Sequence, residues 1–114
     1  MENDLIQEFR EKSDSFDWFS KDLRLNYQWN DIKFIEMMNL IDKIFSFYKN
    51  KDVFPKDLVY FFTSEIPFII GIVENPIFLR SIPSGFTKES YLSLVENRKK
   101  ELLELREYFF YDDF

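Results

Sequence analysis

The sequence contains no cysteine and no histidine, and only two of its 114 residues are glycine and four are proline. Each scarcity closes a route. Without cysteine there is no disulfide framework, no thiolate nucleophile and no thiolate zinc site, which fits a reducing compartment. Without histidine there is no Ser-His-Asp or Cys-His arrangement, no imidazole acid or base and no imidazole metal ligand. Gly71 and Gly85 are far apart in sequence and form no phosphate-cradling pattern. Carboxylate pairs that act as acid and base need a pocket in a larger scaffold, whereas acids scattered over helices form a solvated face. Asp112 and Asp113 are adjacent but lack the loop pattern of a calcium site. The expectation is a chain that is not an enzyme, holds no cofactor or metal and has no small-molecule substrate.

Long hydrophobic runs are missing too. The longest apolar stretch without charge, Ile66 to Val73, is far too short to span a bilayer. The opening MENDLIQEFREK has no basic start followed by an apolar segment, so it does not read as a signal peptide. A cytoplasmic protein without membrane contact is expected. At this length there is room for one domain, 1–114, and one core.

What is present is acid and aromatic side chains. The formal net charge is −6, aromatics make up 20% of the chain, and fifteen residues are Phe. Such a balance argues against nucleic acid as a direct ligand, because binding it depends on neutralising phosphates with Lys and Arg. The charge is also unevenly placed. Residues 1–22 carry seven acids against three bases, and residues 101–114 carry five against Arg106, so each end holds −4 and the middle +2. Chain ends often lie close together in a small domain, which would gather these acids on one face.

Hydrophobic spacing points to a mainly α protein, a four- to five-helix bundle. Leu5, Ile6 and Phe9 share a helical face near the start. Ser13-Asp14-Ser15 interrupts it, and a turn or helix carrying Phe16, Trp18, Phe19 and Leu23 follows. Leu23, Leu25, Tyr27 and Trp29 alternate as in a strand, although a helix joined to an extended connection fits nearly as well. Asn30 or Asp31 caps the next helix, whose apolar positions are Ile32, Ile35, Met37 or Met38, Ile41, Ile44, Phe45 and Tyr48. Pro55 to Ser64 reads as a third, short helix with Leu58, Val59, Phe61 and Phe62. Residues 67–82 read either as a short β-hairpin or as a buried helix followed by a loop, with the helix preferred for the first half. Thr87 caps a last helix, Phe86 before it packs on Tyr91, and Leu92, Leu94, Val95, Leu102, Leu103 and Leu105 continue the stripe.

The candidate binding residues are the acidic, aromatic ends: Asp14, Asp17, Trp18 and Asp22 in one group, and Glu104, Glu107, Tyr108, Tyr111, Asp112 and Asp113 in the other. Aromatic anchors supply interface energy and opposite charge steers encounter, so these groups suit a basic protein partner. The plainer reading is that the aromatics finish the core and the acids form its solvated rim.

One resemblance gathers these features. The pattern Leu5-Ile6-x-x-Phe9 followed by Phe16 and Phe19 is similar to the helical, colicin D-type immunity proteins. So is the helix ending Leu40-Ile41-Asp42-Lys43-Ile44-Phe45-Ser46, and so is the late helix opening Thr87-Lys88-Glu89-Ser90-Tyr91-Leu92. The apolar run from Ile66 to Ile82 departs from that pattern. The resemblance implies a tight one-to-one complex with a cognate toxin, commonly a basic nuclease domain, whose substrate surface would be covered by acids. A nucleic-acid-mimicking inhibitor of phage or plasmid type, or a structural or adaptor subunit, are the alternatives.

Overall fold

The computed structural model describes residues 2–51 and 53–111, the side chains of Glu2, Asn3 and Tyr111 excepted. Helices α1 (Glu2–Ser13), α2 (Phe19–Asn26) and α3 (Asp31–Tyr48) come first. Next, α4 (Lys56–Tyr60) runs through a π turn (Phe61–Glu65) directly into α5 (Ile66–Val73). A 3-10 turn (Pro76–Arg80) leads to α6 (Lys88–Tyr111). With α4 and α5 taken as one rod, this is a five-helix bundle, as the spacing predicted.

The first amides of a helix need acceptors, and the two longest helices begin where side chains supply them. Asn30 accepts from the Lys33 amide at 3.1 Å at the head of α3. At the head of α6, Thr87 Oγ1 accepts from the Ser90 amide at 3.0 Å, and Ser90 Oγ accepts from the Thr87 amide at 2.9 Å. Phe86 then lies 5.6 Å from Tyr91, ring to ring, which fixes the entry of the chain. Helix α2 ends differently. Tyr27 takes the left-handed conformation (φ 53°) and donates its amide to Leu23 O at 2.8 Å. That conformation costs a non-glycine residue about 1 kcal/mol, which the contact of its ring with buried Phe78 helps offset.

The hairpin expected as one reading of 67–82 is not formed, and no β-strand occurs among the described residues. The first half is helical, as preferred. Pro67 has no N–H to offer residue 63, and its ring crowds that carbonyl. The wider π turn just before it accommodates the misfit. Pro76 opens the 3-10 turn, where the Asn75 side chain accepts from the Ile77 amide at 3.0 Å. The alternation from Leu23 to Trp29 likewise resolves as a helix end and an extended connection.

Side-chain contacts give the topology. Arg10 of α1 reaches Asp57 of α4, and Phe62 of the π turn meets both Phe45 of α3 and Phe109 of α6. Glu74 beyond α5 meets Lys99, and Phe78 meets Tyr91, so the α4–α5 rod runs against α6. Arg98 pairs with Asp31 and Tyr108 packs on Phe45, so α6 runs with α3. The result is an up-down-up-down bundle, with α2 as a short element in the first connection. Its core includes Phe19, Trp29, Phe34, Phe61, Phe62, Phe78 and Tyr91, all nearly inaccessible. In α3 the buried stripe starts at Phe34 and Met37, and the expected Ile32 and Ile35 are exposed. Val59, Leu92 and Leu103 are exposed as well.

Candidate partner-binding surface

Between α1 and α2 the chain makes a tight polar turn. The amides of Asp14, Ser15 and Trp18 donate to the carbonyls of Arg10, Lys12 and Ser15, and the Asp17 amide donates to Ser15 Oγ at 3.1 Å. Ser and Asp side chains favour such local bonding over a continuing helix. The turn throws its two aromatic residues in opposite directions. Trp18, expected on the acidic surface, is buried at 6% exposure and meets Phe9 edge to face at 5.5 Å. Phe16, expected in the same turn or helix, is 76% exposed. The side chains of Asp14 and Asp17 flank it at 95% and 92% exposure.

A carboxyl group from another rod holds the turn in place. Trp18 donates its indole N–H to Glu65 Oε1 at 2.6 Å, and the Ser20 hydroxyl donates to the same oxygen. Burial pushes the Glu65 carboxyl up from its ordinary value, while the hydrogen bonds from Ser20 and Trp18 and the charge of Lys21 pull it back. Glu65 thus supplies a polar tie from the π turn to the segment that presents Phe16. It is the one charged residue between Leu58 and Val73, and a lone charge in an apolar run was the signal that could have marked it.

The other candidate residues are less free or lie elsewhere. Asp22 accepts from Asn26 Nδ2 at 2.7 Å and pairs with Lys33 at 3.3 Å, with little of it exposed. Glu104 is exposed beside Lys100 at 3.9 Å, and Glu107 is exposed. Tyr108 is half-buried, with its ring 5.6 Å from Phe45 and Lys49 over its face at 5.8 Å. Asp112, Asp113 and the side chain of Tyr111 lie outside the described residues.

Among the described residues, Asp17 and Asp22 lie away from Tyr108. Asp17 and Asp22 both face Lys33, near the start of α3, whereas Tyr108 packs on Phe45 near its end. At about 1.5 Å per residue, Lys33 and Phe45 are about 18 Å apart along the helix. Asp17 and Asp22 thus lie at the opposite end of α3 from Tyr108, whereas Ile6 and Gln7 of α1 border Tyr48, so the start of α1 and the end of α6 share one end of the bundle. Among the described residues no three acids gather as a metal site would require, and no helix is long and apolar enough to cross a membrane. No family model matches the chain, and neither the curated proteins nor the solved structures yield a match.

Proposed function

We propose that this chain is a binding protein without chemistry of its own, which neutralises a basic protein toxin by covering its substrate surface. One observation carries the reading: Phe16 is 76% exposed on a turn tied by Trp18 to Glu65, and its sequence neighbours Asp14 and Asp17 keep their carboxylates largely exposed while lying 3.8 and 3.6 Å from Lys21 and Lys33. A large exposed aromatic on a rigid backbone loses little entropy on docking and can fill a partner's pocket. Flanking acids steer a cationic partner to it and fix its orientation. A nuclease cleft, which is built to receive phosphates, offers both cations and a concave surface. The resemblance to colicin D-type immunity proteins leads to the same class of partner.

The test is co-expression with toxin domains encoded immediately upstream of this chain's gene. A toxic domain that is silenced by the chain and co-purifies with it is the expected outcome. If none is toxic alone and none co-purifies, the reading fails. With a partner in hand, neutralising Asp14 and Asp17 together should slow association, and added salt should reproduce that slowing in the unaltered chain.

A further inference from the structure

In a chain of net charge −6, one groove carries four bases, Arg10, Lys21, Arg24 and Lys56, against three acids, Asp14, Asp57 and the mostly buried Glu65. It begins beside the turn as a cleft of about 490 Å³, walled by Phe9, Trp18, Tyr60 and Phe68. A second open cleft of about 530 Å³ shares Phe9, Ser13, Asp14 and Tyr60 with the first, so the two continue as one groove along α1 and the α4–α5 rod. Lys21 and Arg24 line the first cleft, and Arg10 and Lys56 the second. Two of these four are matched internally: Arg10 holds Asp57 at 2.6 Å and Lys21 lies 3.8 Å from Asp14. Arg24 and Lys56 have no ion pair among the described residues, which leaves one unmatched positive charge in each cleft.

The walls and floor suit an occupant that is apolar as well as anionic. Tyr60 and Phe68 are 62% and 42% exposed, although each is a large ring in a concave setting. Glu65 at the floor of the first cleft is mostly buried, and desolvation favours its neutral form, so it opposes an incoming acid less than a hydrated carboxylate would. A small anion would use one cleft and one cation. Two adjoining clefts, each with its own free cation, match an extended chain.

We propose that this groove binds an extended acidic peptide segment of a protein partner. An aromatic or aliphatic side chain of the segment would lie against Tyr60 and Phe68, and its carboxylates would pair with Arg24 and Lys56. The groove shares Asp14 and Trp18 with the Phe16 turn, but its occupant is opposite in charge to the partner proposed there and is read through Arg24 and Lys56, so either reading can fail without the other.

The test is a titration of the full chain, followed by amide NMR, with a capped octapeptide that has a central Phe-Leu pair flanked by aspartates. Binding at about 1 mM or tighter is expected, with shifts in α2 and α4. The lysine-for-aspartate and alanine-for-Phe-Leu versions should bind about tenfold more weakly or worse. Arg24→Glu and Lys56→Glu should each weaken the acidic peptide severalfold while leaving the far-UV circular dichroism unchanged, since both side chains are exposed. Equal binding of the lysine version would overturn the proposal. So would indifference to both charge reversals, or no shift at millimolar peptide. Phenylacetate binding as tightly as the peptide would also overturn it, because one cleft would then suffice.

Discussion

Both halves of the bundle pack rings on rings, but the half around the start of α3 adds a set of directional ties. Around the start of α3 the ties are directional. The Tyr91 hydroxyl accepts from the Trp29 amide at 2.8 Å, and the Trp29 indole donates to Asp31 at 3.1 Å. Arg98 grips both oxygens of Asp31 at 2.9 and 2.7 Å, and Trp18 and Ser20 close on Glu65. Around the end of α3 rings pack on rings: Phe62 stacks on Phe109 at 4.1 Å, and Phe45 meets Phe54, Phe62, Tyr108 and Phe109. Hydrogen bonds specify one geometry, whereas apolar packing tolerates rearrangement if volume is kept. The half with polar ties is also the half that carries the Phe16 turn. A surface meant to be recognised gains from a backbone with few alternatives beneath it.

The largest effect should come from emptying the ring-packed half. Phe62 is fully buried against Phe45, Phe61 and Phe109. Phe62→Ala should cost about 3–5 kcal/mol, read as a lower midpoint in urea unfolding. Phe62→Leu should recover much of that loss, because packing there asks for volume more than for geometry. Tyr91→Phe is the matching probe of the other half. It keeps the ring and removes the acceptor of the buried Trp29 amide, so about 1–3 kcal/mol should be lost despite the near-perfect match in shape. If Tyr91→Phe costs nothing, or if Phe62→Leu is as damaging as Phe62→Ala, the contrast between the halves is wrong.

The same contrast governs how much of the molecule could be read from its sequence. Helices α3 and α6 were legible because Asn30 and Thr87 are local signals that a single amide reads. Their buried faces were less so. Ile32 and Phe34 are two residues apart, and only packing against Phe19 and Trp29 decides that Phe34 goes inside. The opposite sides taken by Phe16 and Trp18 were illegible for a similar reason. Their sides are set by a turn and by a carboxyl group 47 residues further on from Trp18, and neither leaves a periodic trace. The helix through Pro67 was ambiguous because a π turn, which has no composition of its own, is what admits the proline. The charge excess at each end was plain in the sequence. Which of those acids come near one another depends on how α1 and α6 run along α3, which is a property of the topology.

A titration separates the Glu65 tie from the other ties in its half. Its ordinary value is 4.5 and the fold raises it. Below that ordinary value the carboxyl is protonated in both states and contributes no pH dependence. As the pH climbs from there through the raised value, the unfolded chain gives up its proton while the folded chain keeps it, so stability falls with pH. Glu65→Gln keeps an acceptor for Trp18 and Ser20 and cannot ionise. Stability curves from pH 4 to 8 should show the variant gaining on the unaltered chain as the pH rises above 4.5, with the gap closing at the acid end. A constant gap across the range would mean that Glu65 is no more desolvated than a surface carboxylate.

The smallest change in stability should come from the residue on which recognition is proposed to depend. Phe16 is 76% exposed, so Phe16→Ala removes little buried area and should shift the unfolding free energy by less than about 0.5 kcal/mol. Its effect on a partner should be much larger. A central aromatic anchor is typically worth about 2 kcal/mol or more in an interface, roughly a thirtyfold weaker complex, and protection in the co-expression assay should weaken accordingly. Trp18→Phe reverses the pattern: it removes the buried N–H donor to Glu65 and should lower stability, and it reaches the partner only through the turn it supports. Measured together, the pair separates presenting an aromatic residue from holding the backbone that presents it. If Phe16→Ala binds as well as the unaltered chain while Trp18→Phe does not, the anchor lies elsewhere on the same half, and the exposed Phe is only a neighbour of the site.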